Sequence, residues 1–222
     1  FIPSQHTPQS LKEEKREALS HLMKAVEGEY PDALYFYSKI IKDENPQKSL
    51  KYRNLAIEKG CQEAIQDYGK ELEDDGRTNQ AVELYKSAAD KGLLVGYREY
   101  ARCLINGDEF DSAKNCLQNA AKLGNANDQL AYAKFLDEYS YENANDEKAS
   151  YYKKSAQQGC PEAFFYYAEC LCNGVGVKKD LKEAKKYYTL SFQKDPQSPT
   201  HYKLKQLIDQ NLIDYDESND DE

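Results

Sequence analysis

The amino-acid sequence predicts an all-α protein, a right-handed superhelical solenoid of antiparallel helix pairs. Two residue ladders with matching intervals indicate this architecture, because a fixed period of this length is typical of helical repeats. The first is a tyrosine that returns after 31, 32, 32, 35 and 35 residues, at Tyr37, Tyr68, Tyr100, Tyr132, Tyr167 and Tyr202. The second is a glycine eight or nine residues before five of these tyrosines, at Gly28, Gly60, Gly92, Gly124 and Gly159.

The phase of the ladders divides the 222 residues into five segments. Five helix-pair repeats begin near residues 29, 61, 93, 125 and 160. The predicted segments are an N-terminal extension (1–10), an N-terminal cap helix (11–28), the five repeats (29–195), a C-terminal cap helix (196–213) and an acidic disordered tail (214–222). The sequence starts at Phe1 instead of a methionine, which suggests a fragment or a processed product.

One type of helix is predicted to end at each ladder glycine, and we call it a Gly helix. In the segment from Ala81 to Gly92, alanine and tyrosine recur at i, i+4, i+7 and i+8, which places them on one helical stripe. A glycine in the left-handed conformation then ends the helix without a Cβ penalty. In the last copy, Asp195 and Pro196 take over this stop.

The other type of helix carries the ladder tyrosine, and we call it a Tyr helix. A small residue directly follows the tyrosine in five copies: Ser38, Gly69, Ala101, Ala133 and Ala168. We expect each tyrosine to fill a pocket, contributing about 2 kcal/mol, while its small neighbour lets the next helix approach. Lys203 follows Tyr202, so the array is expected to end at that copy.

Residues 160–188 carry the most specific pattern, CPEAFFYYAECLCNGVGVKKDLKEAKKYY. This segment resembles a Sel-1-like repeat, a subfamily of the tetratricopeptide-like α-solenoids. The matching positions are Ala163, Ala168, Gly174, Gly176, Val177, Asp180, Ala184 and Tyr188. The resemblance covers about residues 11–212 and is strong in one unit, because the other copies lack the Gly-x-Gly-Val loop. It implies a scaffold or adaptor role in complex assembly, signalling or protein quality control.

The distribution of charge argues against nucleic acid as a partner. The formal net charge is −9, but six acidic residues lie in the last nine positions, so the repeats carry about −3. No apolar run approaches the roughly eighteen residues that a membrane span needs. We therefore expect no nucleic acid and no membrane among the partners, and a monomeric protein.

The six cysteines indicate a reducing compartment. Cys61 and Cys160 occupy equivalent repeat positions, as do Cys103 and Cys170, which is typical of small core residues chosen independently in each unit. We expect reduced thiols and a cytoplasmic location. The three histidines have no metal-ligand spacing, and we predict no catalytic, cofactor-binding or metal residues. An enzyme of unidentified type and a nucleic-acid-binding solenoid remain as alternatives.

Partner binding is predicted on the Tyr helices, which line the concave groove in tetratricopeptide-like solenoids. Two residues after the ladder tyrosine lie four successive cations, which we call the cation stripe: Lys39, Lys70, Arg102 and Lys134. Glu169 takes the fifth position. Two residues before it lie Tyr35, Gln66, Arg98, Leu130 and Phe165. Such a stripe could bind acidic side chains, a C-terminal carboxylate or a phosphorylated segment.

A simpler interpretation of the stripe is local ion pairing. Asp67 lies three residues before Lys70, and Glu99 three before Arg102, so both cations could complete exposed pairs worth a few tenths of a kcal/mol. We nevertheless predict a non-enzymatic protein-interaction scaffold that binds a peptide or protein partner, acidic or phosphorylated, in this groove.

Overall fold

The computed structural model describes residues 8–196, 202–204 and 206, and the regular structure in this part of the chain is all helical. A short 3₁₀ helix (Glu142–Ala144) precedes the ninth α-helix. The α-helices are α1 (Pro8–Glu27), α2 (Pro31–Ile40), α3 (Pro46–Glu58), α4 (Gln62–Asp74), α5 (Thr78–Asp90), α6 (Leu94–Asn106), α7 (Phe110–Leu123), α8 (Ala126–Glu138), α9 (Asn145–Gln157), α10 (Pro161–Asn173) and α11 (Leu181–Lys194). The odd-numbered helices are the Gly helices, and the even-numbered ones are the Tyr helices.

The chain divides into two compact units, residues 1–100 and 101–222, and α6 runs across the boundary. In the first unit, α2 packs on α1 and α3, and α4 packs on α5. In the second unit, α8 packs on α7 and α9, and α10 packs on α9 and α11. The Tyr helices begin at residues 31, 62, 94, 126 and 161, within two residues of the predicted repeat starts. The all-α fold of paired helices is therefore confirmed.

Three of the five ladder glycines end their helices in the predicted way. Gly60, Gly92 and Gly159 have φ values of 88°, 77° and 86°. The prediction is wrong at Gly124, whose φ is −91°. There a capping box of Asn125 and Asp128 caps the N-terminus of the following helix, and a Cβ on Gly124 would collide with the Asp128 carboxylate. The glycine is needed for this close approach and not for a left-handed turn.

At Gly28 the left-handed conformation falls one residue later. Glu29 has a φ of 54°, and its backbone N–H bonds the Val26 carbonyl at 3.0 Å. The prediction that Gly28 itself adopts a positive φ is therefore wrong. At the other end of the chain, α11 ends at Lys194 with Asp195 in an extended conformation, as Asp195-Pro196 predicts.

The core is built from tyrosines of both helix types. The largest fully buried side chains include Tyr85, Tyr152 and Tyr188 from Gly helices, and Tyr132 from a Tyr helix. Of the ladder tyrosines, only Tyr132 and Tyr167 are buried, Tyr37, Tyr68 and Tyr100 are half-buried, and Tyr202 is exposed. The predicted burial of the whole ladder is thus wrong for the first three copies. All five small residues that follow a ladder tyrosine are buried, as expected: Ser38, Gly69, Ala101, Ala133 and Ala168.

An arginine explains part of the difference at Tyr68. Arg53 occupies the position that Tyr85, Tyr152 and Tyr188 take in other Gly helices, seven residues before the helix stop. Its guanidinium lies 4.3 Å from the Tyr68 ring centroid and bonds the Glu71 carboxylate at 2.5 Å. A side chain with a charged tip must reach solvent, so the ring beneath it is left partly open.

Two buried serines connect the two helices of a repeat in the second unit. Ser155 donates its hydroxyl to the Ala126 carbonyl at 2.7 Å, and Ser191 donates to the Pro161 carbonyl at 3.2 Å. Both serines are nearly inaccessible, and both acceptors are the first residue of a Tyr helix. The same repeat position therefore makes the same bond to the Tyr helix of its own repeat twice.

Other predictions concern the cysteines, the membrane and the termini. None of the six cysteines forms a disulfide, which agrees with the predicted reduced thiols. In the part of the chain described, no helix combines the length and apolarity that crossing a membrane requires. Helix α1 begins three residues before the predicted cap helix. The predicted C-terminal cap helix and acidic tail lie outside the described residues, except for residues 196, 202–204 and 206.

Candidate functional site

The Tyr helices present the predicted cations to solvent. Lys39, Lys70, Arg102 and Lys134 are all exposed, as the pattern predicts. The positions two residues before the ladder tyrosine are more varied: Tyr35 and Leu130 are buried, Gln66 and Phe165 are half-buried, and Arg98 is exposed. Lys39 and Lys70 belong to the first unit, and Arg102 and Lys134 to the second, so we describe each pair within its own unit.

In the first unit, Lys39 is held by an acid of the following repeat. Its ammonium donates to Asp67 Oδ2 at 3.0 Å and lies 4.7 Å from the centroid of the Tyr35 ring. The Tyr35 hydroxyl donates to the same carboxylate oxygen. The hydrogen bond from Tyr35, followed by that from Lys39, lowers the pKa of Asp67, while bonds to Tyr35 and Asp67 raise the pKa of Lys39. These three residues form a closed link between α2 and α4.

Lys70 differs from Lys39. Its side chain is exposed, and its charge helps to lower the pKa of Asp67, but the ammonium that bonds this carboxylate at 3.0 Å is that of Lys39. The intrahelical pair between Asp67 and Lys70 that the sequence allows is thus replaced by a pair between repeats. Gln66 makes a similar contact, since its amide donates to the Glu99 carboxylate at 3.2 Å.

In the second unit, Lys134 is also paired with the following repeat. Its ammonium donates to Glu162 Oε1 at 2.8 Å and lies 5.6 Å from the Tyr166 ring centroid. The bond to Glu162 raises the pKa of Lys134. Both pairs join residues 28 positions apart, so Lys39 and Lys134 of the predicted stripe are each matched by an acid of this chain.

Two of the cavities along the Tyr helices of the second unit are lined by predicted site residues. One, which we call the Leu130 pocket, has a volume of about 430 Å³, and Leu130 and Lys134 line it together with Ile105, Leu117, Ala131 and Phe135. The other, which we call the Tyr152 pocket, has a volume of about 310 Å³. It is lined by Asp137, Lys148, Tyr152, Phe165, Tyr166, Glu169, Cys170, Asn173 and Val175. Three predicted site residues, Leu130, Lys134 and Phe165, therefore line cavities.

The charged groups that line the Tyr152 pocket already have hydrogen-bond partners. Lys148 donates to Asp137 at 2.5 Å, and Glu169 accepts from the Tyr188 hydroxyl and from Asn173. Burial raises the pKa of the Cys170 thiol to about 11, which keeps it protonated at neutral pH. This pocket was not predicted from the sequence, although Tyr152, one of the tyrosines that recur seven residues before a helix stop, lines it.

A second group that the sequence analysis missed lies in the first unit. Asp32, Cys61 and Glu63 bring one ligand atom each within 4.8 Å of one another. Burial raises the pKa of the Cys61 thiol to about 12, so it stays protonated and donates to Glu63 at 3.7 Å. In the equivalent position of the fifth repeat, the Cys160 thiol faces the neutral amide of Asn127 at 4.0 Å. The shared role of these cysteines is a packing contact between repeats.

The helix pairs, their phase and their inter-repeat contacts define a tetratricopeptide-like α-solenoid. The sequence profile of the Sel1 repeat family matches residues 31–61, 67–93, 145–160 and 161–195. The chain thus belongs to the Sel1-like repeat proteins. Proteins built from such repeats are in general non-catalytic scaffolds for protein interaction, because the stacked helices form extended binding surfaces.

Comparison with solved structures supports the same fold. The crystal structure of a Sel1 repeat protein from Oxalobacter formigenes has a TM-score of 0.69 at 19% sequence identity, with 92% of this chain and 90% of that chain covered. PilF of Pseudomonas aeruginosa has a TM-score of 0.55 at 15% identity, with 88% and 91% covered. None of the curated proteins compared with this sequence matches it significantly.

Proposed function

We propose that this protein is an interaction scaffold that binds a peptide segment of a protein partner on the Tyr helices of its second unit. The observation that carries the proposal is the pair of cavities on the successive Tyr helices α8 and α10, of about 430 and 310 Å³. Both have aromatic or aliphatic walls with a few polar groups, which is the usual composition of a binding pocket.

Lys134 lies close to the linings of both cavities. This residue lines the Leu130 pocket, and its ammonium lies 5.6 Å from the ring of Tyr166, which lines the Tyr152 pocket. A peptide that places one side chain in each cavity would pass this lysine and its partner Glu162. Anchor side chains in desolvated pockets supply most of the affinity in such complexes, and the surrounding contacts exclude water.

The acidic or phosphorylated character of the partner stays a prediction. Lys39 and Lys134 favour an acidic or phosphorylated partner less than the sequence suggested, because Asp67 and Glu162 already neutralise their charges. Exposed Lys70 still favours it. The double variant Lys70→Glu and Arg102→Glu tests this point, since it should weaken capture of an acidic partner and leave thermal unfolding nearly unchanged. Unchanged capture would contradict an electrostatic role for these two cations.

The proposed face is tested by a steric variant with a matched control. Ala131 is exposed and lines the Leu130 pocket, so Ala131→Glu obstructs the pocket at a small cost to the fold. Ala18→Glu adds the same side chain at an exposed alanine of α1. Affinity capture and quantitative mass spectrometry should show at least tenfold weaker recovery of a partner by Ala131→Glu than by Ala18→Glu. Equal recovery of every captured protein by the two variants would contradict the proposal.

A further inference from the structure

Tyr152 and Tyr188 occupy the same position in successive repeats but have different hydrogen bonds. The hydroxyl of Tyr188 donates to Glu169, which lies two residues after a ladder tyrosine. The same position in the preceding Tyr helix is Lys134, whose ammonium has no acceptor atom. The Tyr152 hydroxyl is inaccessible to solvent and has no hydrogen-bond partner among the described residues.

A buried hydroxyl without a partner is unfavourable. The group loses its hydrogen bonds to water without gaining others, and the large majority of buried polar side-chain atoms in proteins are hydrogen-bonded. The Tyr152 side chain is only 2% exposed and lines the cavity of about 310 Å³ between α8, α9 and α10. That volume is at the lower end of the range for ligand pockets, about 300–1,000 Å³. The side chain that carries this unpartnered hydroxyl thus lines a pocket large enough for a ligand side chain.

The other polar groups of the pocket are already bound to one another. Asp137 pairs with Lys148 at 2.5 Å, so these two charges cancel. Glu169 accepts from Tyr188 and from Asn173, and the Lys203 ammonium lies 3.4 Å from it. A charged ligand group would have to break one of these contacts, and a charge without a partner is costly in a desolvated site. The pocket therefore favours a neutral occupant.

The walls of the pocket favour an aromatic occupant. Tyr166 stacks on Tyr152 with ring centroids 5.1 Å apart and an interplanar angle of 11°, and Phe165 contacts Tyr166 edge to face at 5.5 Å. Val175 completes the apolar part of the lining. Aromatic rings pack well in such a setting, in stacked or edge-to-face geometry.

We propose that the Tyr152 pocket binds a neutral aromatic side chain with one hydroxyl group, the chemistry of tyrosine, supplied by the partner peptide. The proposal rests on the proposed scaffold function and identifies the anchor chemistry of one cavity. The ring of the occupant packs against Phe165 and Tyr166, and its hydroxyl exchanges a hydrogen bond with the Tyr152 hydroxyl, which a small rotation of the Tyr152 side chain brings to the cavity surface. Burial raises the pKa of Tyr152, so its phenol remains a neutral donor over the physiological pH range.

The test uses p-cresol, the side chain of tyrosine, and toluene, which lacks only the hydroxyl. Binding of both probes to the full chain is measured by NMR titration. A ligand of this size is expected to bind with a Kd of about 1 mM, and toluene should bind about tenfold more weakly than p-cresol. In Tyr152→Phe, the p-cresol affinity should fall about tenfold to that of toluene, and the toluene affinity should not change.

Tyr85→Phe is the matched control, because Tyr85 holds the same repeat position in the first unit and does not line this pocket. It should bind p-cresol like the unmodified chain. Equal affinity for the two probes, or a p-cresol affinity that Tyr152→Phe leaves unchanged, would overturn the assignment. Such a result would leave the scaffold proposal standing, since that proposal is judged separately by partner recovery with Ala131→Glu.

Discussion

Gly69 contacts Tyr85 in the first unit, so the substitution Gly69→Ala, which adds one methyl group, tests how tightly these two residues pack. Gly69 lies inside α4, and a Cβ at this position would come closer than 3.0 Å to three atoms of the Tyr85 side chain. Ordinary van der Waals contact begins at about 3.5 Å, so the ring would have to retreat by on the order of 1 Å. Tyr85 is fully buried, and its surroundings leave little room for that movement.

The expected effect of Gly69→Ala is the difference between two terms. Overpacking of a well-packed core costs about 1–3 kcal/mol, and this displacement of a buried ring is at the upper end. Alanine inside a helix is favoured over glycine by about 1 kcal/mol, which offsets part of that cost. We expect a net destabilisation of about 2 kcal/mol, equivalent to a lower Tm by roughly 4–8 °C for a chain of this size.

Urea denaturation followed by circular dichroism measures this change, and two further variants control it. Gly107→Ala should be neutral or slightly stabilising, because its Cβ would lie 3.6 Å from the nearest carbonyl oxygens. Tyr85→Leu places at position 85 the residue that Leu117 provides at the same position of the next Gly helix. In that background Gly69→Ala should lose most of its cost, a coupling of about 1–2 kcal/mol. A Gly69→Ala variant as stable as the unmodified chain would contradict the tight packing of Tyr85 on Gly69.

Three other predictions concern hydrogen bonds, pH and thiols. Tyr188→Phe should destabilise the fold by about 1.5 kcal/mol, because the Glu169 carboxylate loses a hydrogen-bond donor. Tyr152→Phe should leave the stability equal or higher, because the Tyr152 hydroxyl has no partner among the described residues. An equal loss of stability in both variants, measured by urea denaturation, would contradict this difference. The pKa of Asp67 is lowered below 3.8, so its pairing with Lys39 stabilises the fold above that pH and is lost as the pH falls further. Asp67→Asn should therefore reduce the dependence of the free energy of unfolding on pH in this acid range. An unchanged dependence on pH would argue against the pair. Maleimide without reductant should label all six cysteines after denaturation. In the folded protein, the half-buried Cys103 and Cys116 should react before the four buried thiols. Equal labelling rates for all six thiols of the folded protein, measured by mass spectrometry, would contradict this burial. The four slow thiols should be Cys61, Cys160, Cys170 and Cys172.

The position of the helices could be predicted from the sequence because each boundary has a local cause. A glycine such as Gly92 ends a helix through its own backbone freedom, and an N-cap such as Asp180 bonds the Glu183 N–H three residues away at 2.9 Å. These signals act within one turn of helix. The exception at Gly124 has the same explanation, since the deciding group, the Asp128 carboxylate, is four residues further on.

The candidate site could be predicted only in part, because its partners lie a full repeat away. The spacing correctly placed Lys39 and Lys134 on exposed faces, but their acids are 28 residues further along the chain. A single sequence offers several acids within that reach and does not identify the one that binds. The pocket at Tyr152 depends on the shape left between three helices, which no spacing rule describes.

The bonds that Ser155 and Ser191 make inside their own repeats have a consequence for how the second unit loses its structure. Each serine donates to the carbonyl of the first residue of the Tyr helix in the same repeat, so separating the two helices leaves a buried hydroxyl without a partner. In a linear array, the stability of each unit and its coupling to nearest neighbours decide whether units melt singly or together. The pairs α8–α9 and α10–α11 are therefore each expected to open as a pair, with amide hydrogens in the two helices of a pair exchanging at similar rates.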